Sequence, residues 1–192
     1  MRNRSLRFLL PAIAFVMVLP AAAQGVDTYT IDAVHSNIGF KVRHLVSKVT
    51  GRFAAVQGKI MVDTKDITKS SVNVTIDAAS IATGNDGRDT HLKSPDFFDV
   101  ATYPTLTFKS TAVKEVSKGM LEVTGTFTMH GVSKTITIPV ANLGTTAGMK
   151  PGTVVGGFEG NLKLTRSDYG MGKMVGPLGD EVEISLNIEA DK

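Results

Sequence analysis

The amino-acid sequence predicts an all-β fold, an antiparallel β-barrel of about eight strands with one short helical insertion. Three observations predict it. From Tyr29 to the C-terminus, apolar and polar residues alternate at a period of two, which gives each strand one buried and one wet face. Short clusters rich in Gly, Asn, Asp, Ser and Lys divide these runs into strand-length pieces. Only residues 84–98 break the rhythm.

The chain opens differently. Arg2, Arg4 and Arg7 make a basic start, an apolar run follows as far as Pro20, and Ala21-Ala22-Ala23 places small residues at a cleavage site. This is the pattern of a secretory signal peptide. The apolar stretch from Phe8 to Ala23 is shorter than the ~20 residues of a spanning helix. The expectation is a leader at residues 1–23, cleaved after Ala23, and a periplasmic protein comprising one domain at residues 24–192. No Cys follows the small residues, so a lipoprotein anchor is unsupported.

Cleavage changes the charge. The full chain has 21 Lys+Arg and 18 Asp+Glu, and three of the arginines lie in the leader. The remaining 169 residues (192 minus 23) balance at 18 against 18. A chain near neutrality, with no basic cluster, does not suit nucleic acid or an anionic membrane surface as its main partner. The sequence has no Cys, which excludes disulfides, thiol catalysis and thiolate metal sites.

Along the strands, Ile38, Phe40 and Val42 alternate with Gly39, Lys41 and Arg43. Arg52–Val62 is taken as one strand, Ser71–Asp77 as the next and Thr105–Val113 as another. Leu121, Val123, Gly125, Phe127 and Met129 then oppose Glu122, Thr124, Thr126, Thr128 and His130. Ile136, Ile138 and Val140 continue the pattern, as do Phe158–Leu164 and Val182–Ile188. Turns are expected at Asp63–Lys69, Ser117–Gly119, His130-Gly131 and Gly144–Gly152. About eight such strands can close on themselves, or form two packed sheets.

In the insertion, Asn85 or Asp86 caps a short helix running to Lys93, and Ser94-Pro95 resembles a second helix start. Phe97-Phe98 puts two rings beside it, where they can cover a barrel mouth.

Catalytic signals are sparse. The four histidines, His35, His44, His91 and His130, show no i,i+4 pair and no HExxH. No G-x-S-x-G or S-x-x-K marks a nucleophile. Asp86, Arg88, Asp89 and His91 could do acid–base work, but capping and local ion pairing account for them better, since capping already uses two of the carboxylates. The Gly170–Gly179 stretch lacks the G-K-[ST] ending of a phosphate loop. With Met171 and Met174 it suits either a lid over a greasy ligand or a long hairpin connection.

Read together, these stretches form an ordered set of motifs: Asp32–His44, Gly51-Arg52-Phe53, Arg88, Leu92, Phe97-Phe98-Asp99, Tyr103-Pro104, Phe108-Lys109-Ser110, Gly125–Val132 and Arg166–Gly170. In this order they resemble the YceI-like family of periplasmic lipid-binding proteins, over essentially the whole chain after the leader. The resemblance implies a lipocalin-like barrel whose apolar tunnel holds a polyisoprenoid, linked in that family to isoprenoid quinones or their prenyl precursors and often to stress responses. Tyr169, where the family often has Phe or Trp, and Ala55-Val56, where a second aromatic often follows, depart from the pattern.

On that basis the expected function is non-enzymatic binding and transport of a long-chain isoprenoid, with no cofactor beyond the bound lipid and no metal. The expected tunnel lining is Ile38, Phe40, Val42, Phe53, Phe108, Leu121, Val123, Phe127 and Met129, with Phe97, Phe98, Met171 and Met174 at the mouth. Arg88 and His91 are the first candidates for the lipid head group, with His35 and Arg166 as the alternative pair. Loading would need a transient contact with a membrane or a membrane protein; oligomeric state is left open. Two rival readings remain: an enzyme acting on a lipid head group through His91 with Asp86 or Asp89, and a stress-protective structural module whose barrel is filled by its own core.

Overall fold

The alternating runs become strands of a single antiparallel sheet that closes on itself. The structure, a computed structural model, describes residues 25–192; the expected leader at residues 1–23 lies outside them. Its strands are β1 (Val26–Ile31), β2 (Asn37–His44), β3 (Ser47–Phe53), β4 (Val56–Asp63), β5 (Ser71–Asp77), β6 (Ile81–Ala82), β7 (Thr105–Ser117), β8 (Met120–Met129), β9 (Val132–Ala147), β10 (Val154–Thr165) and β11 (Leu178–Asp191). One α-helix, α1 (Asp86–Lys93), follows β6.

Eight strands make the ring, in the order β1-β4-β5-β7-β8-β9-β10-β11. Closure comes from β11 returning to β1 through Thr30↔Asp191 and Ile31↔Ala190. The rest of β11, from Leu178 to Asn187, pairs instead with β2, and β3 and β6 extend the sheet beyond it. Thus β1 and β2 share one edge of β11 in succession. With 16 residues in β9, a rise of ~3.3 Å per residue and a tilt of ~40°, the barrel is roughly 40 Å long.

The inner faces follow the alternation. Leu121, Val123, Gly125, Phe127 and Met129 on β8 are all buried, and the residues that alternate with them are not. The β8–β9 hairpin turns on His130 (φ 51°) and Gly131 (φ 72°), the two left-handed residues that a two-residue hairpin needs.

Most of the irregular structure that bears on the lumen collects at one end. There β5 ends opposite the start of β7, β8 turns into β9, and β10 ends beside the start of β11. Helix α1, residues 94–104 and residues 166–177 cover this end, here called the helical end. The opposite end carries the connections 64–70, 118–119 and 148–153.

Three expectations need correction. Arg52–Val62 is not one strand: β3 stops at Phe53, and Ala54-Ala55 turn the chain into β4. The strand β9 runs on to Ala147, because Thr145, Thr146 and Ala147 pair with Gly156, Val155 and Val154; Gly144 (φ 91°) is a bulge and not the start of the turn. Ser94-Pro95 begins no second helix. Asn85 caps α1 by accepting from the Arg88 N–H at 2.9 Å, and Ser94 closes it, donating from Oγ to the His91 carbonyl at 2.7 Å. Residues 95–102 are then irregular turns.

Candidate functional site

The inward side chains leave a central apolar cavity of about 240 Å³. Its lining runs from Leu92, Phe97, Phe98, Arg166 and Met171 at the helical end to Met61, Ile67, Ser70, Asn142 and Glu159 at the other. The lumen therefore extends through the barrel, and almost every wall residue is aliphatic or aromatic.

Of the residues expected to line it, Ile38, Phe40, Val42, Phe53, Phe97, Phe98, Phe108, Leu121, Val123, Phe127, Met129 and Met171 do so. Met174 does not: it sits on the outer loop with φ 58° and is 47% exposed. The wall also includes residues beyond those expected, among them Ile60, Leu106, Phe158, Leu162, Ile184 and Ile188. Their alternation was visible in β10 and β11, so the same signal would have found most of them.

A ladder of rings ties the insertion to the barrel. Phe40 and Phe53 have centroids 5.9 Å apart, and Phe98 meets Phe53 edge-on at 5.5 Å. Phe97 is buried beneath His91, whose ring stands edge-on at 5.0 Å. The Phe40 ring needs Gly51 on the neighbouring strand, because a Cβ there would lie 2.4 Å from its Cζ.

The polar candidates separate sharply. Arg88 is exposed and gives Nε to Thr83 Oγ1 at 2.7 Å and Nη2 to the Thr83 carbonyl at 2.9 Å. Asp89 accepts from the same hydroxyl and from the Thr83 N–H. Both residues fasten α1 to the chain after β6, and neither lines the lumen. His91 is also exposed, with Nε2 3.1 Å from Asp96 Oδ2. The rival catalytic set of His91 with Asp86 or Asp89 is thus not brought together. Asp96 in addition meets Lys173 Nζ at 3.3 Å, so it joins the insertion to the 170–177 loop. Its carboxyl is held below the usual range by His91 first and Lys173 second.

His35 lies on the outer wall where β1 gives way to β2. Its Nδ1 is 2.7 Å from Asp32 Oδ2 and 3.9 Å from Glu189 Oε1. Ligand atoms of these three residues fall within 4.8 Å of one another. The sequence signal for this cluster is the Asp-x-x-His spacing within a turn, which differs from the i,i+4 spacing of a helical pair.

Arg166 alone among the four head-group candidates lines the lumen. It is 5% exposed, follows the last residue of β10, and opens a single 3-10 turn at Arg166–Tyr169. Burial pulls its guanidinium below the usual arginine range, and Asp180 partly offsets this. Tyr169, at the other end of the turn, is 2% exposed and packs edge-on against Phe127 at 5.6 Å.

A family model described as the YceI-like domain matches residues 29–190. Among relatives, a UPF0312 protein of Vibrio parahaemolyticus is 40% identical over 184 residues, covering 94% of this chain and 95% of that protein. A UPF0312 protein of Shewanella sp. is 35% identical over 187 residues, covering 95% and 96%. Among solved structures, Burkholderia cenocepacia BcnA superposes with a TM-score of 0.74 at 27% identity, over 83% of this chain and 99% of that one. The Campylobacter jejuni YCEI protein gives 0.70 at 34% identity, over 84% and 95%. A domain from Saccharophagus degradans described as polyisoprenoid binding gives 0.63 at 20% identity, over 84% and 97%, a likeness of fold.

Proposed function

Because this chain belongs to the YceI-like family, we propose that it is an exported carrier that encloses one long-chain isoprenoid, a polyprenyl lipid or an isoprenoid quinone, in its barrel. The observation that carries the proposal is the lumen itself, apolar along its wall and continuous from the helical end to the far end. The polyisoprenoid named for the Saccharophagus degradans domain supports the ligand class through a shared fold.

The physical chemistry favours such a ligand. Each buried CH₂ is worth ~0.8 kcal/mol, so one five-carbon unit contributes several kcal/mol. A chain of several units would pass the practical affinity ceiling of about 20 kcal/mol if every group counted, so ordering the chain and opening the barrel must offset much of the gain. A lipid this apolar has almost no free concentration in water, and crossing an aqueous compartment requires a protein that surrounds it. Loading falls to the helical end, where Leu45, Val46, Met174 and Val175 stand exposed and the Leu45 N–H is bonded to the Pro177 carbonyl. These residues suit transient contact with a membrane.

The test is organic extraction of protein recovered from the periplasm, followed by mass spectrometry. The expected result is a stoichiometric prenyl lipid on a chain whose N-terminal residue is Gln24. A well-folded chain with no extractable lipid supports a filled core instead, and conversion of an added prenyl diphosphate supports an enzyme.

A further inference from the structure

Arg166 is a feature that enclosing a hydrocarbon does not explain. The turn that follows β10 buries it, and Gly170 at φ 79° ends that turn. Nε donates to the Gly179 carbonyl at 2.9 Å, and Nη1 donates to the Met171 carbonyl. Nη2 is shut off from solvent and has no hydrogen-bond partner among the described residues. Both groups that Arg166 does engage are neutral carbonyls. Asp180, the carboxylate that partly offsets the burial of Arg166, already uses Oδ1 for the Ser167 N–H and Oδ2 for the Ser167 hydroxyl. Arg166 thus has a positive charge, an open donor and no carboxylate bonded to it. A buried donor without an acceptor is costly, and a guanidinium more so.

Its surroundings give the donor a direction. The other wall residues at the helical end, Leu92, Phe97, Phe98, Met171 and Leu178, are apolar. Ser70, Asn142 and Glu159, the remaining polar wall residues, belong to the opposite end. The lumen is therefore asymmetric, with its cationic donor at the helical end.

We propose that Arg166 is the internal head-group anchor. Nη2 donates to an acceptor oxygen on the polar end of the ligand, a carbonyl, carboxylate or phosphate, with an anionic head held most strongly. The head sits beneath the 170–177 loop, and the apolar chain runs from there towards the far end of the barrel. This rests on the carrier reading and adds to it a ligand class and an orientation.

Two probes separate the anchor from general tunnel binding: geranylgeranyl diphosphate, and phytane, a branched hydrocarbon of the same carbon count. The chain has no Trp, so affinities are read by displacement of an extrinsic fluorophore. Arg166→Met should weaken the diphosphate at least tenfold and leave phytane within twofold, and Arg166→Lys should restore part of the loss. Equal losses for both probes, or none for either, would overturn the anchor while leaving the carrier intact. If Arg166→Met does not fold, the side-chain nitrogen resonances of Arg166 in the wild-type protein serve instead. They should shift with the diphosphate and stay with phytane, and a response to neither would overturn the proposal. Wild-type protein that binds neither probe removes the carrier reading as well.

Discussion

Val123 shows what one side chain does for the lumen. It is 4% exposed on β8, paired with Val113 on one side and Ile138 on the other, and it faces the cavity. Val123→Phe adds volume without charge. Overpacking of this kind costs ~1–3 kcal/mol where there is no room, and less where the ring can enter an open lumen. The expected variant is folded by circular dichroism and retains less extractable lipid; unchanged lipid in a folded variant would take Val123 off the binding surface. His35 is a second residue with a definite behaviour. Its hydrogen bond to Asp32 raises the imidazole above its ordinary value, and the same bond lowers the Asp32 carboxyl. The pair therefore stabilises the fold fully between the unfolded values of ~3.9 for Asp and ~6.5 for His. It is lost as pH rises through the raised His35 value or falls through the depressed Asp32 value. In a magnetic-resonance titration, Asp32→Asn should move the His35 midpoint down towards ~6.5; an unmoved midpoint would remove Asp32 as its cause. At this scale the sequence was a mixed guide. Alternation places Phe40, Val123 and Phe127 on the inner face, but it says nothing of a charge. Arg88 and His91 sit in the most polar segment and face outward, whereas Arg166 reaches the lumen two residues beyond Leu164, in step with the inward residues of β10.

At the scale of elements, the strands with clean alternation were the legible ones, and their limits were less so. Ala54-Ala55 contains no Gly, Pro, Asn or Asp, so nothing local marks the break between β3 and β4; the sheet imposes it by pairing Phe53 with Ile81 and Val56 with Ile76. Gly144 has the composition of a turn and the geometry of a bulge, and only the pairing of Thr145–Ala147 with β10 decides between them. The insertion is held similarly, by long-range contacts. Asp96 bridges His91 on α1 and Lys173 on the 170–177 loop across the helical end. All three groups are roughly half exposed, so water screens the bridge and it adds little stability. Its expected effect is kinetic. Asp96→Ala should leave the melting temperature nearly unchanged and speed release of bound prenyl lipid severalfold in stopped flow. An unchanged release rate would mean that the loop and the insertion do not gate the lumen.

For the whole molecule, the topology decides what the barrel can do. The β1–β11 pairing closes eight strands into a ring, and the sheet's remaining edge falls on β3 and the two-residue β6. The same closure makes an interior that is apolar and long, and a charge balance near zero over residues 25–192 leaves the outside without a strong field. Barrel class and strand content were legible because a period of two survives any tertiary arrangement. Whether the inner faces pack on one another or stand apart was not, since both arrangements write the same pattern; only the three-dimensional spacing of the walls separates them. The central claim, that this interior carries a lipid through water, is tested most directly by transfer of a radiolabelled isoprenoid quinone from donor vesicles to bead-bound acceptor vesicles. The carrier account predicts a transfer rate that rises in proportion to added protein and falls with folded Val123→Phe. A rate equal to spontaneous exchange at every protein concentration would contradict it.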